Sequence, residues 1–129
     1  MKKKTGGQGF QVPGFTTAGI FCGIKNNKEK DLALIYSEEP SVAAGVFTLN
    51  KVVSPTITWC QQTIKSSKKF RAIIANSGNA NACTGPKGME DCKSLAFKLS
   101  QELFVDPKEI LIASTGIIGV PLPKNKIIK

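Results

Sequence analysis

Apolar and polar positions in the first half of the chain come in short alternating blocks. After Pro13-Gly14, three apolar runs, Phe15 to Ile24, Leu32 to Ser37 and Val42 to Thr48, are separated by Asn26-Asn27-Lys28 and Glu38-Glu39-Pro40. The separators carry turn-forming residues, so the runs read as three consecutive antiparallel strands. Ala18, Gly19, Ala43, Ala44 and Gly45 are small enough for another layer to approach closely. Ser54-Pro55 then has the form of an N-cap followed by proline at the first helical position. Ile57, Cys60 and Ile64 follow on one helical face, although Thr56, Thr58 and Trp59 favour strand. Arg71 to Ala75 is a short continuous apolar run, as in a buried central strand.

The clearest helix spans Pro86 to Phe104, where Met89, Cys92, Leu95, Ala96, Leu99 and Leu103 keep the three-four spacing of one buried face. Glu90 and Asp91 fall in its first turns, where negative charge suits the helix dipole. Asp106-Pro107 ends the pattern, and Ile110 to Ala113 reads as a second buried strand. The resulting strand, loop, helix, strand succession belongs to the α/β class, of the α+β type. Pro121, Pro123 and Lys124 to Lys129 look like the start of a further helix. Neither a repeat nor a linker divides the chain, so residues 1–11, charged and glycine-rich, read as a flexible arm and 12–129 as one unit.

Composition narrows the partners. No stretch reaches the roughly 18–20 uncharged apolar residues needed to span a bilayer, so no membrane partner is expected. Met1-Lys2-Lys3-Lys4 imitates the basic start of a signal peptide, but Gly14, Gly19 and Gly23 interrupt the apolar run after it and no small-x-small cleavage site follows. A cytoplasmic location is the expectation. The net charge of +9, from 18 basic and 9 acidic residues, raises nucleic acid as a partner. Against it, the lysines cluster in expected loops, Arg71 is the one arginine, and aromatic residues do not interleave with the basic ones. No nucleic acid is therefore expected.

Two loops leave the C-terminal ends of buried strands, where α/β architectures place their sites: Asn76 to Gly85 and Ser114 to Gly119. The first is dense in amide and hydroxyl groups and precedes a helix N-terminus, a place for a carboxylate or phosphate. The competing reading is structural, with Asn79 and Asn81 closing turns and Thr84 capping the helix. The chain contains no histidine, so Cys83, Ser77 and Ser114 lack the base that would make any of them a conventional nucleophile. The same absence, with no C-x-x-C pair, argues against a metal site. Cys22, Cys60, Cys83 and Cys92 read as reduced and mostly buried thiols. Thr115 and Gly116 suit a different task, since a hydroxyl and an unshielded backbone N–H at a tight strand exit can hold an oxyanion; the competing reading, favoured on these residues alone, is an ordinary turn.

Taken in order, Pro13-Gly-Phe15, Ala18-Gly-Ile-x-x-Gly-Ile24, Asp31-Leu-Ala-Leu-Ile35, Ala43-Ala-Gly-Val-Phe-Thr48, Asn76-Ser-Gly-Asn-Ala-Asn-Ala-Cys-Thr-Gly85 and Ser114-Thr-Gly-Ile-Ile-Gly119 with Pro121-Leu-Pro123 resemble the successive blocks of the glutamate/ornithine N-acetyltransferase family of arginine biosynthesis. The resemblance runs from about residue 12 to the end and corresponds to the N-terminal part of that family's α subunit. It implies a layered αββα sandwich, incomplete in this chain, and a precursor that cleaves itself to expose an N-terminal threonine on a second subunit. That threonine, outside this chain, takes an acetyl group from N-acetylornithine, in some members also from acetyl-CoA, and passes it to glutamate. Its own α-amino group supplies the base, which suits a chain without histidine. No cofactor is implied beyond acetyl-CoA as a co-substrate, and the assembly is a heterotetramer of two α and two β subunits. The family's oxyanion hole falls on Thr115 and Gly116. The Asn76 to Gly85 loop matches as a block, without separate roles for Asn79, Asn81 or Cys83. The family's first subunit continues past Lys129, so the chain reads as a fragment or one part of a split enzyme. The alternative is a truncated, non-catalytic remnant or partner-binding fragment, distinguished by whether an adjacent reading frame carries the rest of the pattern.

Overall fold

The computed structural model describes residues 12–129; the arm expected over residues 1–11 lies outside the described residues. The elements are β1 (Phe15–Ile20), β2 (Leu32–Ser41), α1 (Pro55–Ser66), β3 (Phe70–Asn79), α2 (Pro86–Leu103), a 3-10 turn (Pro107–Glu109), β4 (Ile110–Ile117) and the short α3 (Lys124–Ile127). They form one four-stranded sheet of order β1-β2-β3-β4. The first two pairings are antiparallel and the last is parallel, as a β3–α2–β4 crossover requires. The architecture is mixed α+β, in line with the class read from the sequence.

The expected third strand, Val42 to Thr48, does not form. Val42, Val46 and Leu49 are 90%, 100% and 99% exposed, and these residues run as an unpaired connection. The antiparallel place beside β2 goes to β3, whose run Ala72-Ile-Ile74 has more apolar surface to bury than Ala43-Ala-Gly45. β2 also absorbs Glu38-Glu39-Pro40, read as a turn. It does so through a register shift between Tyr36 and Ser41, closed by a 2.7 Å hydrogen bond between the Ser37 and Ser41 hydroxyls.

Strand alternation gives the sheet two different faces. Leu34, Ile74 and Ile112 stand in one paired row, and Ile35, Ile73 and Leu111 in the next, on the opposite face. The first face is packed by α2, whose Cys92, Leu95 and Ala96 join Ala72, Ile74, Ile110, Ile112 and Leu122 in the core. The second face is partly open: Ile35 and Ile73 keep 41% and 38% of their surface exposed, while Leu111 is half-buried and, with Ile73, lines a cavity shared with Phe47 and with Ile57 and Ile64 of α1.

Both long helices begin where proline lies at the first helical positions, but their details depart from the sequence reading. Ser54 caps α1 by accepting the N–H of Ile57. The buried positions of α1 are Thr56, Cys60 and Thr63, so the helix is rotated from the expected Ile57, Cys60, Ile64 face. It docks on the edge of β4 through polar side-chain contacts, while Trp59 also packs against the core. Trp59 Nε1 donates to Ile110 O at 2.9 Å, while the Cys60 thiol donates to Ile112 O at 3.2 Å and accepts from Ile112 N at 3.4 Å. Edge backbone groups that would otherwise be open to strand addition are thus paired with side chains. On α2 the N-cap is Gly85 without a side-chain bond, so Thr84 is not the cap. Asp91, expected to serve the helix dipole, is buried and ion-paired to Lys87 at 3.3 Å and to Lys124 of α3 at 3.1 Å.

The open face generates an expectation for the chain in isolation. The exposed Ile35 and Ile73, beside the half-buried Leu111, should bind a hydrophobic dye such as ANS and drive concentration-dependent association. Ile73→Lys should weaken both, as read by dye fluorescence and light scattering. A monodisperse, dye-negative monomer would contradict the picture.

Candidate functional site

The parallel pairing of β3 and β4 brings both chemistry-bearing loops to one end of the sheet. Asn76 lies opposite Ser114, Ser77 opposite Thr115 and Gly78 opposite Gly116. The neighbourhood expected of these two loops is therefore present, and its parts divide into an inner web and an outer rim.

The inner web is built from asparagines. Asn76, Asn79 and Asn81 are buried, and buried amides need partners. Asn76 accepts from the Ser114 hydroxyl at 2.7 Å and donates to Asn79 O at 2.9 Å. Asn79 donates to Val120 O at 3.1 Å and Pro121 O at 3.3 Å, while its Oδ1 accepts the Asn81 N–H at 2.8 Å. Asn81, with a left-handed φ of 47°, donates to Gly88 O at 3.0 Å and accepts from the Thr84 hydroxyl at 3.0 Å. Backbone bonds complete the stitching, Ala80 N to Ile117 O and Gly119 N to Ala82 O. The turn-closing reading of Asn79 and Asn81 thus describes what these residues do here, and their amides are turned into the protein.

The outer rim is Thr115 and Gly116, both exposed. Gly116 has φ +134°, and a Cβ built on it would lie 2.3 Å from Gly78 C and 2.5 Å from Asn79 N. No side chain fits there. β3 shifts register at the same point, between Gly78 and Asn79. Gly78, with φ +99°, is in turn backed by Ile24 and Lys25, since a Cβ on it would come within 2.9 Å of Ile24 Cγ2 and 3.0 Å of Lys25 Cγ. Two backbones, 78–79 and 116, therefore meet at close range, and the side chains of Ile24 and Lys25 close over the first of them.

Asp31 holds the outermost of these layers, and the sequence reading had passed over it except as the first residue of an apolar block. Its carboxylate accepts the Cys22 N–H at 2.7 Å and the Lys25 N–H at 2.9 Å. Its own N–H bonds Ile20 O, and its carbonyl accepts the Ser77 N–H at 2.9 Å. Burial alone would push this carboxyl up. The N–H groups of Cys22 and Lys25, joined by the Cys22 thiol and the Ile24 N–H, outweigh it and hold the pKa at about 2, below its ordinary 3.8.

The thiols give no sign of reactivity. Burial pushes Cys60 up, and burial together with the neighbouring Cys60 pushes Cys92 up to about 12. Cys22 is half-buried and also raised, by burial first and by Asp31 second. Cys83 is exposed, so the expected burial applies to Cys60 and Cys92 only; all four are free. Among the described residues no cluster of His, Cys, Asp or Glu could hold a metal, and no helix is long and apolar enough to cross a membrane.

Comparison with known proteins agrees with the blocks read from the sequence. A model of the ArgJ family matches residues 16–129, and the chain belongs to that family. It is 49% identical over 116 residues to the arginine biosynthesis bifunctional protein ArgJ of Caldanaerobacter subterraneus, covering 90% of this chain and 28% of the relative. It is 45% identical over 119 residues to that of Thermotoga neapolitana, covering 92% of this chain and 30% of the relative. The chain thus spans less than a third of the length of these curated relatives. Among solved structures, ArgJ from Bacillus halodurans is similar with a TM-score of 0.86 at 38% identity, over 90% of this chain and 60% of that one. Ornithine acetyltransferase from Mycobacterium tuberculosis, complexed with ornithine, is similar with a TM-score of 0.81 at 42% identity, over 90% and 63%.

Two outcomes follow from this geometry. Gly116→Ala should destabilise the fold by at least about 2 kcal/mol, combining overpacking with strain at positive φ; a urea midpoint equal to wild type would show that the strands can part cheaply. Because the folded pKa of Asp31 lies below its unfolded value, its contribution is fully present above about pH 3.8 and is lost as pH falls toward about 2. Stability measured across that window should fall more steeply for wild type than for Asp31→Asn.

Proposed function

We propose that this chain is the oxyanion-holding part of an acetyltransferase of arginine biosynthesis, acting in the cytoplasm on N-acetylornithine as donor and glutamate as acceptor. Acetyl-CoA is a second donor in the bifunctional form of the reaction. The nucleophile is the N-terminal threonine of a second subunit, exposed by self-cleavage of a longer precursor and supplied by sequence outside this chain. Two α and two β subunits make up the working assembly, and no further cofactor takes part.

The observation that carries this reading is the tight exit of β4 at Thr115-Gly116. Successive peptide groups of a strand point to opposite sides, and Ile112 turns its N–H and C=O outward to Cys60. By that alternation the Gly116 N–H also leaves β4 on the side away from β3. It stands beside the Thr115 hydroxyl on an exposed rim, with Gly116 free of any side chain that would keep a carbonyl oxygen away. Two donors so placed would stabilise the negative charge of a tetrahedral acetyl-transfer intermediate, and their backing by close-packed strands means they need not reorganise as the charge develops. The absence of histidine from the chain suits a threonine whose own α-amino group takes its proton.

The test is transfer of acetyl from N-acetylornithine to glutamate by the chain co-expressed with the remainder of the family's length. Thr115→Ala should lower kcat by about 100- to 1000-fold, the usual cost of one oxyanion donor. A kcat within a few-fold of wild type would remove Thr115 from the site.

A further inference from the structure

We propose that Asp31 is a positioning residue for the Thr115-Gly116 turn, acting through the 22–25 loop and Gly78. The inference rests on the oxyanion reading of that turn.

Four hydrogen bonds converge on Asp31. Its N–H donates to Ile20 O at 3.0 Å and its carbonyl accepts from Ser77 N at 2.9 Å, which joins the end of β1 to the end of β3 across the start of β2. Its carboxylate oxygens are divided between Cys22 N and Lys25 N. The 22–25 loop is thereby drawn in against Gly78, where Ile24 and Lys25 occupy the space any side chain at that position would need. Gly78 and Asn79, at the register shift, stand directly against Gly116. The direction of the Gly116 N–H is set by which way these backbones can give. On one side the asparagine web holds Asn79, through Asn76 and through the carbonyls of Val120 and Pro121. On the other side the 22–25 loop resists outward movement of Gly78, held inward by Asp31 and on its outer side by Lys126 Nζ, which donates to Gly23 O at 2.7 Å.

A carboxylate suits this task better than an amide. It presents two acceptor oxygens to two converging N–H groups, whereas asparagine would turn an NH2 toward one of them. Asp31→Asn therefore keeps the size of the side chain and releases one end of the loop. An oxyanion donor displaced by a fraction of an ångström stabilises the transition state less, and a misplacement of about 1 Å can cost on the order of 100-fold in rate.

The experiment is single-turnover acetylation of the assembled enzyme by N-acetylornithine, in which the rate constant reports the chemistry and the amplitude reports the fraction of folded sites. Asp31→Asn should slow the rate constant by about tenfold or more with its amplitude retained. Hydrogen exchange in peptides covering residues 76–85 and 112–119 should rise. Ile24→Ala, which leaves every Asp31 hydrogen bond in place but loosens the contact on Gly78, should slow the same step by a smaller factor and guards against an Asp31 variant that fails to fold. Lost amplitude with an unchanged rate constant in both variants would make the role purely structural and overturn the proposal. Thr115→Ala, run in parallel, separates the two levels. A wild-type rate constant in that variant would overturn the reading of the site itself. A slowed Thr115→Ala beside unchanged Asp31→Asn and Ile24→Ala would overturn only the role of Asp31.

Discussion

The contact between Gly78 and Gly116 is the constraint around which the working end of the molecule is organised. Two parallel strands approach there more closely than any side chain allows, and β3 accommodates the approach by shifting register at Asn79. Everything nearby serves to keep that contact closed. Behind it lies the asparagine web, whose amides replace the ladder bonds that irregular backbone gives up. In front stands the short loop held by the Asp31 carboxylate and by Lys126 on its Gly23 carbonyl. A close backbone contact of this kind has few alternative arrangements, which is what the proposed oxyanion-holding role would require.

Much of this was legible in the sequence. The strand, loop, helix, strand order, the N-cap at Ser54, the extent of α2 and the meeting of the two loops follow from local signals and from the rule that parallel strands share one functional end. The failures share a cause, which is that the deciding contacts are non-local. Nothing within Val42 to Thr48 says that β3, some thirty residues later, will take its place beside β2. Nothing within α1 says that its thiol and indole will face a strand edge, so the apolar spacing found Cys60 but missed the rotation that buries Thr56 and Thr63 with it. Asp91 has the helix position of a dipole partner, and beyond its local pairing with Lys87 it is the return of Lys124 from α3 that adds a second cation to the buried carboxylate.

The candidate site divides along the same line. Thr115 and Gly116 were singled out as a hydroxyl and a bare N–H at a strand exit, and it was the family resemblance, not the residues alone, that raised them above an ordinary turn. Asp31 was not singled out, since a lone aspartate after a lysine-rich turn looks like solvated surface until its carboxylate is seen taking N–H groups from Cys22 and Lys25. The asparagines lay between these cases. Their number announced a special loop, but the inward direction of their amides, settled by Gly88, Val120 and Pro121, could not be read from their spacing.

The way α1 meets the sheet has a consequence for how the molecule can grow. Where many sheets leave a bare terminal strand, this one has its far margin bound by an indole and a thiol, so a further strand cannot simply zip on beside the first half of β4. Within the described residues, lateral extension is left to the β1 margin. Added structure must otherwise be laid across the face that carries Ile35, Ile73 and Leu111, as a second tier rather than a wider first one.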